Sequence, residues 1–190
     1  LADPKAIPTE GITEITLTDT KVAEAFGFTV KLIGHARIGE DGKLTAFVSP
    51  RMVPVSNPLS GIDGVFNGIL VDANMVGEVM FYGPGAGKLP TASAVVADII
   101  DIIANRDAAV KPIVWEAAGE ADIADFGDYS CRRLLVMKDA SVLPRSLSER
   151  ATVRETAGAF GVLLDTMTEA ETRALTETLD GVLAVYRVLD

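Results

Sequence analysis

The residues best placed to do chemistry in this chain form one turn, Gly83-Pro84-Gly85-Ala86-Gly87. The apolar run Val79-Met80-Phe81-Tyr82 leads into it and Lys88-Leu89-Pro90-Thr91 follows. An apolar strand that passes through a glycine turn into a helix start leaves first-turn N–H groups unpaired and allows close approach to the backbone. Such a place suits a phosphate, a carboxylate or the polar edge of a cofactor. Its spacing matches neither familiar phosphate loop. A phosphate-binding loop has four residues between its first glycine and a Gly-Lys pair that Ser or Thr follows. Here Pro84, Gly85 and Ala86 are three, and Leu89 follows Lys88. The dinucleotide fingerprint fails as well, because Gly83, Gly85 and Gly87 read GxGxG, and no acidic residue ends a second strand about 20 residues on. By spacing alone the turn reads equally well as a tight strand-to-helix connection that holds no ligand.

Other candidates carry less. Asp98 and Asp101, three apart on an expected helix, could hold a metal as paired carboxylates, but a solvated helix face accounts for them and no metal is expected. His35, the only histidine, sits in Leu32-Ile33-Gly34-His35-Ala36, which alternates like a strand; a structural histidine is expected there. Cys131 is the only cysteine, so no internal disulfide or cysteine-based metal site can form, and it reads as a small apolar filler. Lys88 could approach a phosphate, but an exposed lysine that serves solubility is the expected reading. No Ser-His-Asp or Cys-His constellation has enough parts.

The elements that must position the turn can be read from periodicity. Pro4 and Pro8 punctuate a lead-in. Thr18 is expected to cap a helix over residues 19–26 that Gly27 ends, followed by a strand over 28–38, a hairpin turn at Asp41-Gly42 and a partner strand over 43–49. Pro50, Pro54 and Pro58 suggest an irregular connection before strands near 65–72 and 76–82, joined by a turn at Ala73-Asn74. Thr91 is expected to cap a helix through about Asn105, with Val95, Ile99, Ile102 and Ile103 on its apolar face. A polar linker at 105–111 leads to a strand over 129–138, a helix over 146–156, a strand over 160–166, a helix over 169–179 capped by Thr168, and a final strand over 183–189. The expected class is α+β: a mixed or antiparallel sheet with helices on one face, then a small α/β sandwich. The expected division is 1–106 as one domain, 107–127 as linker and 128–190 as a second domain.

Composition limits the partners. The chain has 190 residues, 48% hydrophobic and 23% charged, which can bury one good core or two small ones. Acidic residues outnumber basic ones by 27 to 17, for a net charge of −10. That balance disfavours nucleic acid and anionic membranes, since no basic patch could neutralise either. No apolar run is long enough to span a bilayer and no signal peptide is present in the chain as given, so cytoplasm is the expected compartment. The positive mean hydropathy, +0.30, fits either a rich core or surface covered by another domain or subunit.

Across about residues 8–106, a series of motifs resembles homoserine dehydrogenase. In the family's order they are Glu10-Gly11-Ile12-Thr13, Val30-Lys31-Leu32-Ile33, Val53-Pro54 with Asn57-Pro58-Leu59, and Gly64-Val65-Phe66-Asn67. The longest and most specific is Phe81-Tyr82-Gly83-Pro84-Gly85-Ala86-Gly87 with Pro90-Thr91-Ala92-Ser93-Ala94-Val95-Val96-Ala97-Asp98. The resemblance implies a parent enzyme that moves hydride between NADP or NAD and the carbonyl of aspartate semialdehyde, giving homoserine in threonine and methionine biosynthesis. It implies a homo-oligomer. Gly87 is carried over as the cofactor contact, with Gly83, Gly85 and Ala86 as formers of the loop. The family's nicotinamide-binding Rossmann domain, and its substrate-binding and proton-transferring Glu, Asp and Lys, would lie upstream of Leu1. No catalytic residue is therefore expected in this chain, and the chain alone is expected to be inactive.

The region 128–190 is similar in position to the ACT regulatory domain of that family, which implies a ferredoxin-like βαββαβ module that senses threonine. It departs from the usual Asp-x-Pro-Gly-x-Leu turn, having Asp139-Ala140-Ser141-Val142-Leu143 instead. Without Pro-Gly the turn loses the feature that presents backbone donors to an amino-acid effector, which leaves threonine sensing or subunit pairing as its use. A different class of reading is a stand-alone, non-catalytic module for amino-acid sensing or dimerisation.

Overall fold

The computed structural model describes residues 2–108 and 114–189. Part of the expected linker, 109–113, lies outside the described residues. Contacts divide the chain into two compact units, residues 1–60 with 116–190, and residues 61–115.

The larger unit is built on a six-stranded mixed sheet. Its strands are β1 (Phe28–Ile38), β2 (Leu44–Pro54), β5 (Ser130–Met137), β6 (Thr152–Thr156), β7 (Ala159–Thr168) and β8 (Val182–Val188) in the order β1-β2-β8-β5-β7-β6. Three helices accompany it: α1 (Leu17–Ala25), α3 (Arg145–Ser148) and α4 (Glu169–Thr178). From β5 to β8 the chain runs β-α-β-β-α-β with antiparallel neighbours in the order β8-β5-β7-β6, the ferredoxin-like arrangement expected for the C-terminal region. The expected cut at 106 does not coincide with the contacts. The β1-β2 hairpin joins the same sheet, β2 running parallel to β8 through the pairs Arg51↔Arg187 and Met52↔Val188.

Strand alternation splits the core between the two sheet faces. On one face Leu134, Val136, Tyr186, Val188 and Met52 pack under Val22 and Ala23 of α1. On the other, Leu135, Met137, Val162 and Leu164 pack with Leu143 and with Leu175 and Leu179. Helices thus cover both faces. Gly161 makes the close approach of α1 feasible, since a Cβ there would lie 2.5 Å from Phe26 and 2.6 Å from Val22. Arg154 of β6 lies over the Phe26 ring and donates to the Ala25 carbonyl at the helix end, where a cation opposes the negative pole of the helix dipole.

Several expected boundaries move. The cap of α1 is Thr16, not Thr18: its hydroxyl accepts from Asp19 N–H at 3.3 Å while Asp19 Oδ2 accepts from Thr16 N–H at 2.7 Å, a reciprocal pair that Thr18 cannot form. Pro50 does not end its strand. Val48 N–H donates to the Pro8 carbonyl and Val48 C=O accepts from Glu10 N–H, and by the two-residue repeat Pro50 faces that same side. Its missing N–H falls in the gap before β8 joins at Arg51. The expected helix over 146–156 shrinks to the single turn of α3, and 152–156 become β6. The reason is the two-residue turn Ala157-Gly158, both at positive φ (53° and 74°), which closes a β6-β7 hairpin that outcompetes the helix. Thr168 caps α4 as expected, in a capping box with Glu171.

The smaller unit contains the two-stranded sheet β3 (Phe66–Ala73) and β4 (Gly77–Pro84), antiparallel, and the helix α2 (Lys88–Ala104). None of its described residues is buried. Phe81 is 63% exposed, and the expected apolar face of α2 stands open, with Ile103 at 68%.

Candidate functional site

The glycine turn lies where β4 passes into α2. Gly83 pairs with Asn67 in the β3-β4 ladder, and Gly85 and Ala86 N–H both donate to the Val65 carbonyl, at 3.1 and 3.4 Å. Gly85 carries a steric demand, because a Cβ there would fall 1.6 Å from the Asn67 side-chain nitrogen. Gly87 has φ 117° and ψ 157°, a conformation that residues with a Cβ rarely adopt, and it is the N-cap of α2. The four sequence-derived residues Gly83, Gly85, Ala86 and Gly87 therefore form one continuous backbone surface. No side chain caps the helix. Thr91 is not its cap but a first-turn residue, whose N–H donates to Gly87 C=O at 3.2 Å. Pro90 has no N–H, so the donors that helix geometry turns outward are those of Lys88 and Leu89. With the positive pole of a 17-residue helix behind them, they suit an anionic or polar group.

Other candidates fall where simple physics puts them. Asp98 and Asp101 are exposed, and Asp101 Oδ1 accepts from Asn105 at the end of α2. Cys131 is buried, and burial pushes its thiol pKa up, which keeps it an unreactive filler. His35 stacks on Phe47 at 5.0 Å, and burial, then Arg51 and Arg37, push its pKa down, so the ring is neutral at pH 7. Among the described residues no group of three His, Cys, Asp or Glu is placed to hold a metal. No described helix is long and apolar enough to cross a membrane.

A buried ionic cluster in the larger unit escaped the sequence reading. Arg133 and Arg187, opposite each other on β5 and β8, share the Glu169 carboxylate at 2.7 and 2.6 Å, and Arg187 also forms a double hydrogen bond with Glu10. Burial, the largest influence on Glu169, would raise its pKa, but hydrogen bonds and charge from Arg187 and Arg133 outweigh it and hold the carboxyl below the usual range. The available signal was arginine inside apolar strand runs, as in Val185-Tyr186-Arg187-Val188.

A strand, a glycine turn and a helix N-terminus without a side-chain cap together form one backbone cradle. A family model for homoserine dehydrogenase matches residues 2–100, and the chain belongs to that family. The homoserine dehydrogenase of Neisseria gonorrhoeae is 50% identical over 93 residues, covering 49% of this chain and 21% of that protein. That of Corynebacterium glutamicum is 37% identical over 132 residues, covering 67% of this chain and 30% of that protein. The crystal structure of a homoserine dehydrogenase from Thiobacillus denitrificans superposes with a TM-score of 0.71 at 28% identity, over 95% of this chain and 47% of that one. The chain thus spans about half of that structure and between a fifth and a third of these curated relatives.

Proposed function

We propose that this chain supplies the glycine-turn part of a homoserine dehydrogenase that interconverts L-homoserine and L-aspartate 4-semialdehyde. The observation that carries the reading is the turn itself: Gly87 at φ 117° starts α2 with no side-chain cap, inside the segment that matches the family. The glycine cradle and the outward Lys88 and Leu89 donors fit the polar end of a nicotinamide cofactor, NADP or NAD, which would supply the hydride. Within the chain, Gly85 and Gly87 let the backbone come close, and the helix start orients and stabilises the polar group it meets. No residue of the chain is assigned a catalytic proton transfer.

The reading includes a homo-oligomer, supported by the apolar residues of β3, β4 and α2 that stand exposed in the single chain. For residues 128–190 it favours subunit pairing over threonine sensing. Asp139 Oδ1 accepts the Ser141 N–H at 2.8 Å, so the turn that would meet an effector already uses that donor internally. The test is Gly87→Val in the full-length enzyme. The cofactor KM should rise steeply or turnover should vanish, and unchanged kinetics would remove Gly87 from the site.

A further inference from the structure

The sheet registers line up a basic row on one face: Lys31 of β1 opposite Arg51 of β2, Arg51 opposite Arg187 of β8, and Arg187 opposite Arg133 of β5. Like charges facing one another on neighbouring strands repel. The carboxylates of Glu169 and Glu10 go to Arg133 and Arg187. Arg51 receives neither. It is 1% exposed, and its Nη2 donates to Tyr129 Oη at 2.8 Å and to the Val188 carbonyl at 2.7 Å, both neutral acceptors. Its Nε and Nη1 have no hydrogen-bond partner among the described residues, which leaves three of the five guanidinium N–H groups unused there. A guanidinium cannot discharge by losing a proton, so a buried one without a counter-ion is costly. The Phe47 and Tyr129 rings, each 5.6 Å from its central carbon, offset only part of that cost.

Arg51 lines a cavity of about 410 Å³ together with His35, Arg37, Thr45, Tyr129 and Ser130. Its polar wall carries hydroxyl, aromatic and cationic groups, and Ala124, Cys131 and Leu189 make the rest apolar. Asp125 and Asp128, also lining it, are exposed, and Asp125 Oδ1 is engaged by Gly127 N–H at 2.8 Å. We propose that this cavity binds a small oxyanion, a carboxylate or a phosphate, with the Arg51 guanidinium as its counter-charge. The two rim aspartates favour a singly charged ligand over a polyanion. Nothing in this site depends on the glycine turn.

His35 is the only histidine in the chain and lies in the same cavity, so its ring signals report on occupancy. The experiment is an NMR titration of the chain with sodium acetate and, separately, with inorganic phosphate, each at constant ionic strength held with chloride. The expected result is saturable displacement of the His35 ring signals with a millimolar Kd, about −4 kcal/mol, that chloride does not reproduce and Arg51→Met abolishes. Response to acetate alone would assign the carboxylate class, and response to phosphate alone the phosphate class. A response equal to that of chloride, or one retained in folded Arg51→Met, overturns the proposal. Should Arg51→Met fail to fold, Arg51→Lys replaces it. Affinity weakened about tenfold is expected there because the planar set of donors is lost, and unchanged affinity overturns the assignment.

Discussion

The two compact units handle apolar residues in opposite ways. Residues 1–60 with 116–190 bury their large side chains on both faces of one sheet, down to Leu134, Leu135, Val162 and Val188 at 0% exposure. Residues 61–115 expose Ile69, Phe81, Ile99 and Ile103, although they carry the glycine turn. Stability concentrates where area is removed from water, whereas ligand donors must stay reachable. The unit that holds the chain together is therefore separate from the unit that presents the turn.

The sharpest way to break this contrast is at the buried ions. Glu169→Ala leaves Arg133 and Arg187 short of a carboxylate and should cost about 3–5 kcal/mol in urea unfolding; a loss below about 1 kcal/mol would mean that the cluster is not a stabilising centre. The same carboxylate sets an acid limit. Because its folded pKa lies below the unfolded value, its contribution is complete above the ordinary carboxylate range and is lost as pH falls through the folded pKa. Wild-type stability should drop on that acid side more steeply than the stability of Glu169→Gln, and parallel profiles would contradict the assignment.

Next in size is Gly161→Ala, whose new methyl meets Phe26 and Val22 and should cost about 1–3 kcal/mol. A neutral result would show that α1 moves away freely. Thr168→Ala removes the α4 cap for about 1 kcal/mol in thermal or urea unfolding, and no change would mean that the Glu171 half of the capping box suffices. The smallest effect sharpens the comparison from the other side. Gly87→Val should leave unfolding of the larger unit within about 0.5 kcal/mol of wild type, while under the proposed function it raises the cofactor KM. A large global loss would show that the turn is part of the core.

Legibility in the sequence followed how local each cause was. The Asp41-Gly42 hairpin and the Thr168 cap each rest on residues a few positions apart and are readable, whereas α2 starts after Gly87 and not at the expected Thr91. Thr16 caps α1 in place of the expected Thr18 because Asp19, three residues on, closes the capping box with Thr16. The helix expected over 146–156 failed because β7 offered Thr152–Thr156 a hairpin partner that local propensity does not register. The strand through Pro50 needed knowledge of which side of β2 lacked a neighbour.

By itself the sequence determined the glycine turn, its passage from strand to helix and the order of motifs that places the chain in its family, because backbone freedom and helix-end chemistry are set by adjacent residues. Only the tertiary structure decided that the N-terminal hairpin shares a sheet with the C-terminal βαββαβ strands. That pairing is also what brings Arg51, Arg187 and Arg133 into one row from positions far apart in the chain, with Glu10 and Glu169 beside only two of them. Strand register places charges side by side across any sequence distance, and no local pattern encodes it.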